Sequence, residues 1–540
     1  MIWAVEIVGL VVCIGIAVFE MFLLRHDVSG DTYIHFTFAR NLAEGCGFSY
    51  NCGEPSSAST GPLWSFILAV LYRFVGLDRI LTAARLAAGV LHVVSIVLLH
   101  VLVKQFIPET SAVDPVFFGL AAAGLWSINP APADWAMRVM DSALLIVLLL
   151  VGSLLFVDFV LVPTGVKAIA MGIVLGLTIL SRVDGSLWVA IAGAAILIKF
   201  VPEQPQLAFT TVISGLITIL PYYVWLFVRF RQVIPSSRAR QIHYQRNSAT
   251  HRYKNLYFNI HVPRLFTSGI YSPLLPLFFI GVGALLVDPT ILWNRLLLAT
   301  LLVAMVAYVV FYSTVMPTPN YAYRYLLPSL LVLVIFTAVG LHSVFTYARP
   351  VYVSGILVAY FIIYPALRLN RGELVKLRSF MYGYVVEQEE PARRGMAYWV
   401  RDTLPADVTV AAIEIDALAL YSKPGQRVLS IDGLIGGEAI AYLQNNEQLR
   451  FLRDFRPTHI QIEGFIYRYY HSWKQTELAC LALADVGVGE DVMLGDMQFT
   501  LLHEEPYHYF ADLYGKPTSE ACPWRLFAIS YESDDQMLIG

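Results

Sequence analysis

The chain has 540 residues, of which 57% are hydrophobic and 14% are charged, and its formal net charge is −3. Soluble globular domains carry about one quarter charged residues. This composition, with a mean hydropathy of +0.62, excludes an ordinary soluble protein. The small net charge also argues against nucleic acid as a partner.

Apolar runs of membrane-spanning length recur through the first two thirds of the chain. We predict about eleven spans, each an apolar run of roughly 17 to 25 residues or a shorter tilted one. They lie at 2–24, 82–104, 114–129, 139–162, 166–181, 184–200, 207–228, 270–287, 294–315, 325–346 and 350–368. The first run has no basic segment before it, so we expect a retained span with a cytoplasmic N-terminus. The predicted cytoplasmic loops then hold Lys104, Lys167, Lys199, Arg295 and Arg349, as the positive-inside rule expects.

Two external loops follow from this orientation. The loop 25–81 is predicted to hold two helices on the membrane surface, at 31–44 and 63–75, with a turn-rich stretch at 51–62 between them. The loop 229–268 is strongly basic, and its cationic residues are Arg229, Arg231, Arg238, Arg240, Arg246, Arg252, Lys254 and Arg264.

The last third of the chain has a different pattern. Charge rises beyond residue 375, and the long apolar runs stop. Helices are predicted at 387–404 and 437–443, and strands at 408–413, 427–431 and 459–462. The predicted fold is a mostly α polytopic membrane domain, 1–370, followed by an extracytoplasmic α/β domain, 375–540.

Ionisable residues collect at the predicted outer ends of the spans. They are Asp31, Asp134, Arg138, Asp141, Arg182, Asp184 and Arg324. Such residues are costly near a membrane and often functional, so they predict one extracytoplasmic site. The alternative is a set of ordinary interfacial caps and ion pairs.

Each of these residues has a chemical and a structural interpretation. Asp31 could act as a general base or cap a helix N-terminus. Arg182, Arg324 and the basic loop could hold a phosphate, whereas Arg182 and Asp184 could instead pair and stabilise a turn. The aromatic residues Tyr321, Tyr323, Tyr325, Trp64 and Trp399 fit a sugar-stacking surface or an interfacial aromatic belt.

The chain has five cysteines, with Cys13 inside the first predicted span. Cys46 with Cys52, and Cys480 with Cys522, fall in segments predicted to be external. Two disulfides would suit an oxidising compartment, and four unpaired cysteines are the alternative. No cysteine spacing is typical of a zinc site.

Several ordered motifs resemble one known superfamily. The external loop reads DTYIHFTFARNLAEG from Asp31, GFSYN from Gly47, GEP from Gly53 and STGPLW from Ser59. Further segments read MDSAL from Met140, SRVDG from Ser181, VIPSS from Val233, RYLLP from Arg324, EIDAL from Glu414, YS from Tyr421 and IDGLI from Ile431. The ordered set resembles GT-C membrane glycosyltransferases, in particular the arabinofuranosyltransferase-like group related to mycobacterial terminal arabinofuranosyltransferases.

The resemblance implies a glycosyltransferase with a polyprenyl-phosphate sugar donor. The sugar would pass to an extracytoplasmic hydroxyl on a glycan, a lipid-linked acceptor or a protein, and arabinofuranose is the sugar that the resemblance suggests. Asp31 would be the general base, and one displacement would invert the anomeric centre. Donor binding is assigned to Tyr33, Asp141, Arg182, Asp184, Arg238 and Arg324. The implied location is the bacterial cytoplasmic membrane, with the site and the α/β domain on the periplasmic side.

The chain also departs from the motifs of the group. Gly30 stands at the first position of the usual acidic pair, so only Asp31 remains, and the divalent metal of related two-carboxylate sites is not assigned to this chain. Val183 replaces the usual proline, and Asp141 replaces glutamate. A transporter or flippase of lipid-linked sugars is the main alternative function, and a non-catalytic scaffold is another. No internal repeat of the transporter kind is apparent in the sequence.

Overall fold

The computed structural model describes residues 2–25, 28–108, 111, 113–236, 274–287, 295–314, 322–347, 389–413, 415–435, 438–445, 447–463, 478–483, 485–505 and 523–531. Helices dominate the chain up to residue 347. In order they are α1 Ile2–Leu24, α2 Gly30–Ala43, α3 Pro62–Val75, α4 Leu77–Phe106, α5 Pro115–Ser127, α6 Pro130–Met137, α7 Ser142–Leu161, α8 Gly165–Ser181, α9 Gly185–Phe200, α10 Pro205–Phe230, α11 Leu275–Val287, α12 Arg295–Thr314 and α13 Ala322–Tyr347.

The prediction of a polytopic membrane protein is confirmed. Within the described residues, six helices are long and apolar enough to cross a membrane, or seven if α5 and α6 form one bent span. The helices α8, α9 and α11 are apolar but shorter. Ten of the eleven predicted spans therefore coincide with apolar helices, and the eleventh, 350–368, lies outside the described residues.

The third predicted span, 114–129, coincides with α5, but the short helix α6 that follows it at an angle was not predicted. The chain bends by 55° between α5 and α6. Asn129 caps the new helix, because its side chain accepts a hydrogen bond of 2.8 Å from the Ala131 amide, and Pro130 stands at the first helical position. Both features start a helix and stop the preceding one.

The core of the membrane region surrounds α13, which packs against α5, α11 and α12. Two glycines allow the closest of these approaches. A Cβ atom on Gly340 would lie 1.8 Å from the Leu277 carbonyl oxygen, and one on Gly281 would lie 2.0 Å from the Phe336 carbonyl oxygen. Such contacts between small residues are typical of membrane helices. They fix α13, which carries Arg324 near its N-terminal end.

The segment 25–81 after α1 is built from α2, a small antiparallel pair and α3. The pair consists of β1 Ser49–Asn51 and β2 Glu54–Pro55, and the disulfide between Cys46 and Cys52 closes it. The two helices predicted in this segment, at 31–44 and 63–75, are present as α2 and α3, and their position on the membrane surface stays a prediction. The other predicted disulfide stays a prediction, because Cys522 lies outside the described residues.

The C-terminal part contains a six-stranded mixed sheet. Its helices are α14 Glu389–Thr403, α15 Asp416–Tyr421, α16 Glu438–Gln444, α17 Gln448–Phe455 and α18 Ala479–Leu483, and its strands are β3 Thr409–Ala412, β4 Arg427–Ser430, β5 His459–Glu463, β6 Asp491–Leu494, β7 Met497–Glu505 and β8 Trp524–Tyr531. The strand order is β4-β3-β5-β8-β7-β6. The three predicted strands form its parallel part, and the antiparallel part β6–β8 was not predicted.

The sheet region contacts the segment 25–81 through side chains that bind backbone groups. Arg40 donates to the Leu420 carbonyl at 2.6 Å, and Tyr50 donates to the Ile415 carbonyl at 2.9 Å. Asn51 both donates to the Val428 carbonyl and accepts from the Val428 amide, each at 2.9 Å. These bonds hold the C-terminal region against the loop that carries Asp31. The predicted division between 370 and 375 lies outside the described residues.

Candidate functional site

Asp31 lies in the first turn of α2, where the helix dipole favours a negative charge. Its side chain is 41% exposed. One carboxylate oxygen, Oδ2, accepts a hydrogen bond of 2.7 Å from Nη1 of Arg324. Asp31 is the accessible carboxylate of the ion-pair network described below.

Arg324 connects Asp31 to the interior of the protein. Its side chain is only 4% exposed, and its Nη2 donates to Oδ1 of Asp141 at 3.2 Å. Asp31 and Asp141 are therefore joined through a single guanidinium, although they come from α2 and from the start of α7. The order of these residues along the chain does not reveal this arrangement.

Arg182 forms the deepest part of the network. Its Nε and Nη2 donate to the two carboxylate oxygens of Asp184, each at 3.0 Å, and its Nη1 donates to Oδ1 of Asp141 at 2.8 Å. Its side chain is 2% exposed. The alternative that Arg182 and Asp184 pair across their turn describes this geometry, so Arg182 positions other residues and does not present a free guanidinium.

Tyrosines from neighbouring helices complete this environment. Tyr312 donates a short hydrogen bond to Oδ2 of Asp184, and Tyr308 donates to the Asp184 backbone carbonyl at 2.8 Å. The ring of Tyr325 stacks on Tyr312 and lies 5.1 Å from the Arg182 guanidinium carbon, a cation–π distance. The helices α12 and α13 thus hold Arg182 and its partner Asp184 in place.

A chain of polar groups reaches Asp141 from the other side. His35, one turn after Asp31 on α2, places Nε2 4.0 Å from Oδ2 of Asp141. Its Nδ1 lies 3.0 Å from Oγ of Ser65, and that hydroxyl lies 3.3 Å from Oγ of Ser59. All of these groups are buried. The carboxylate opposite Nε2 favours the tautomer with its proton on that nitrogen.

Burial and charge oppose each other in the pKa values of this cluster. Burial by itself would raise the pKa of Asp141, but Arg182 and Arg324 outweigh it, and the pKa lies below its ordinary value. Burial lowers the pKa of His35, and although Asp141 opposes this, the two arginines add to the lowering. At neutral pH Asp141 is therefore ionised and His35 is neutral.

The turn before Asp141 has a strained backbone. Val139 has a φ of 61°, which is rare for a β-branched residue. The turn is held by Trp64, whose indole donates to the Val139 carbonyl at 3.1 Å, and by Thr32, whose hydroxyl donates to the Arg138 carbonyl at 2.5 Å. Strain that the surroundings maintain in this way is typical of functional sites.

Several predicted site residues lie elsewhere. Tyr33 is buried, and its ring packs against Phe36 and Tyr421 between α2 and α15, so its visible role is packing. Trp64 is fully buried and offers no sugar-stacking face. Trp399 lies 4.7 Å from His503 in a parallel stack on the sheet region. Arg238 and most of the basic loop lie outside the described residues, as does Tyr321.

Four residues around this network were not predicted as site residues: His35, Ser65, Tyr308 and Tyr312. Helical spacing could have indicated His35, because residues four apart share a helix face. Nothing local distinguishes the other three. Asp134 pairs with Arg138 at 2.7 Å, four residues along the chain.

No protein-family model and no curated protein sequence matches this chain. Solved structures do resemble it. ArnT from Cupriavidus metallidurans bound to undecaprenyl phosphate has a TM-score of 0.52 and 15% identity, over 96% of this chain and 97% of that chain. The apo state of ArnT has the same TM-score and identity. An Archaeoglobus fulgidus oligosaccharyltransferase tethered to an acceptor peptide has a TM-score of 0.51 and 12% identity, over 85% of this chain and 69% of that chain.

These solved proteins are GT-C membrane enzymes with the same architecture of apolar helices and a C-terminal region. At such low identity the likeness establishes the fold alone. The chain has the fold of the GT-C membrane glycosyltransferases.

Proposed function

We propose that this protein is a glycosyltransferase that moves a sugar from a polyprenyl-phosphate donor to a hydroxyl acceptor outside the cytoplasm. The observation that carries the proposal is the position of Asp31. It is the accessible end of an otherwise buried ion-pair network, and it sits on a GT-C fold. Within that fold, ArnT was crystallised with undecaprenyl phosphate, which supports a lipid-linked donor.

The reaction assigned to the site is a single displacement. Asp31 takes the proton of the acceptor hydroxyl as that oxygen attacks the anomeric carbon. The bond from the anomeric carbon to the phosphate oxygen breaks, and the electron pair leaves with the phosphate. Arg324 adjoins Asp31 and can stabilise the negative charge that develops on the leaving phosphate. One displacement inverts the anomeric centre. Asp141, Arg182 and Asp184 keep Arg324 in position.

The disulfide supports an extracytoplasmic site. Cys46 and Cys52 lie in the same external loop as Asp31. Disulfides persist in oxidising compartments and are rare in the cytosol. We therefore assign the site and the C-terminal region, 375–540, to the periplasmic side of a bacterial cytoplasmic membrane. Membership of the arabinofuranosyltransferase-like group, and arabinofuranose as the sugar, are proposed on the motifs alone.

The proposal is tested by sugar transfer with purified protein in detergent. Polyprenyl-phosphate sugars, arabinofuranose among them, are supplied with a panel of glycan, lipid-linked and peptide acceptors. The wild type should transfer, and Asp31→Asn should not, because it keeps the shape of the side chain and removes the base. Asp78→Asn is the matched control, since Asp78 is an exposed carboxylate in the first turn of α4, outside the network.

Two results would contradict the proposal. Full activity of Asp31→Asn would remove Asp31 from the chemistry. A wild type that transfers sugar from no lipid donor, yet moves such lipids across liposome bilayers, would establish the transporter alternative.

A further inference from the structure

Arg324 occupies the position of a bridging cation between two carboxylates. Its Nη1 lies 2.7 Å from Oδ2 of Asp31, and its Nη2 lies 3.2 Å from Oδ1 of Asp141. Separate nitrogens of one planar group therefore contact both acids. A guanidinium is permanently charged, so this bridge persists at any physiological pH.

A divalent metal ion does not fit the same donor set. Mg²⁺ requires an octahedral shell of oxygen ligands. Oδ1 of Asp141 already accepts hydrogen bonds from both Arg182 and Arg324, and its Oδ2 is buried and faces His35 at 4.0 Å. Any ion between Asp31 and Asp141 would also meet the positive charge of Arg324. Among the described residues, no group of three or more His, Cys, Asp or Glu side chains could hold a metal.

The hydrogen bonds of the two arginines show which of them Asp31 and Asp141 share. Arg182 is bound to Asp184 through two parallel hydrogen bonds and shares only Nη1 with Asp141. Arg324 thus supplies the cation that Asp31 and Asp141 have in common. An arginine has five donor hydrogens. Two of them make the bonds above, and Nε has no hydrogen-bond partner within the described part of the chain.

We propose that Arg324 is the built-in cation of this site and that sugar transfer requires no divalent metal ion. This inference rests on the proposed function for its catalytic meaning. Its structural content, that a guanidinium takes the place of a metal between Asp31 and Asp141, is tested without any turnover.

The first test follows Mn²⁺ binding to the purified protein by the loss of the free-ion signal in electron paramagnetic resonance. The wild type and Asp31→Asn should lower the free Mn²⁺ signal to the same extent, because the site between Asp31 and Asp141 binds no Mn²⁺. Arg324→Ala leaves Asp31 without its cation and Asp141 with only the Arg182 hydrogen bond, so this variant should bind additional Mn²⁺ between the two carboxylates. The double variant Arg324→Ala/Asp31→Asn is its control and should lose that gain.

Two results would overturn the proposal. One is wild-type Mn²⁺ binding that Asp31→Asn abolishes, and this arm needs no arginine variant to fold. The other is a folded Arg324→Ala protein that gains no Mn²⁺, because the guanidinium would then not be what keeps the ion out.

The second test measures transfer by the wild type after EDTA treatment. The rate should be unchanged, and a loss that Mg²⁺ or Mn²⁺ restores would overturn the proposal. Failure to transfer sugar under any condition would instead count against the proposed function, and the Mn²⁺ measurement would still decide whether Arg324 replaces a metal.

Discussion

The substitution Asp141→Asn separates the scaffold of the site from its chemistry. Asp141 is 1% exposed and accepts hydrogen bonds from two buried guanidinium groups at 2.8 and 3.2 Å. Asparagine keeps the shape of the side chain but removes the charge. Breaking a buried ion pair costs about 3–5 kcal/mol. Because Arg182 keeps Asp184 and Arg324 keeps Asp31, we expect about 3 kcal/mol, at the lower end of that range.

Thermal unfolding of the detergent-solubilised protein measures this cost. A loss of about 3 kcal/mol should lower Tm by roughly 3 °C, because the unfolding entropy of a 540-residue chain is about 1.1 kcal/mol/K. Asp158→Asn is the matched control, since Asp158 pairs with Lys167 at 2.8 Å but its side chain is 55% exposed. Exposed pairs contribute about 0–1 kcal/mol, so the control should unfold close to the wild-type temperature.

The stability difference between the wild type and Asp141→Asn should depend on pH. The pKa of Asp141 is lowered in the folded protein from its ordinary value of 3.8. The ionised group therefore stabilises the fold at pH values above that ordinary value, and its contribution is lost as the pH falls through the folded pKa. The Tm difference between wild type and Asp141→Asn should be largest at neutral pH and should become smaller as the pH falls into the acid range. Equal Tm values at neutral pH, or a difference that widens in acid, would refute the reasoning.

Three further predictions concern the surroundings of the network. His35→Ala should lower the single-turnover rate of transfer with little change in donor affinity, because His35 faces Oδ2 of Asp141 and helps to position it. A changed donor affinity with an unchanged transfer rate would contradict this positioning role. Gly61→Ala should destabilise the protein by about 1–3 kcal/mol in thermal unfolding. Its Cβ would lie 2.6 Å from the Ser181 carbonyl and 2.9 Å from Oδ2 of Asp141, whereas the control Gly15→Ala meets no atom within 4 Å and should be tolerated. In cells, Cys46 and Cys52 should resist alkylation until a reductant is added, and labelling without reductant would place this loop in a reducing compartment.

Much of the fold could be predicted from the sequence because it follows from local hydrophobicity. Membrane-spanning helices need long apolar runs, and these runs predicted α1, α4, α7 and α10 to within five residues at each end. The strand β7 was missed although Met497, Phe499 and Leu501 alternate with polar residues, a pattern of period two that indicates a half-buried strand. The break after α5 was also missed, although Asn129 and Pro130 together are a helix start signal.

The sequence indicated which acids and arginines belong to the candidate site, but it did not indicate which of them pair with each other. The acids and arginines were identified as residues at the outer ends of spans. Their pairing was not, because Arg324 and Asp31 are 293 positions apart and meet only when α13 packs in the core. Sequence spacing revealed only the local pair of Arg182 with Asp184. Tyr308 and Tyr312 look like ordinary span residues, since their hydrogen bonds to Asp184 arise from the packing of α12 against α9.

In the proposed reaction Asp31 performs the proton transfer, and the buried residues Asp141, Arg182 and Asp184 position Arg324 beside it. A single-turnover experiment with Asp31→Asn and a polyprenyl-phosphate sugar donor tests it most directly, with donor affinity and Tm measured on the same preparation. We predict a rate lower by about 10²–10⁴-fold, as for loss of a general base, with donor affinity and Tm close to those of the wild type. A wild-type rate in this variant would contradict the account.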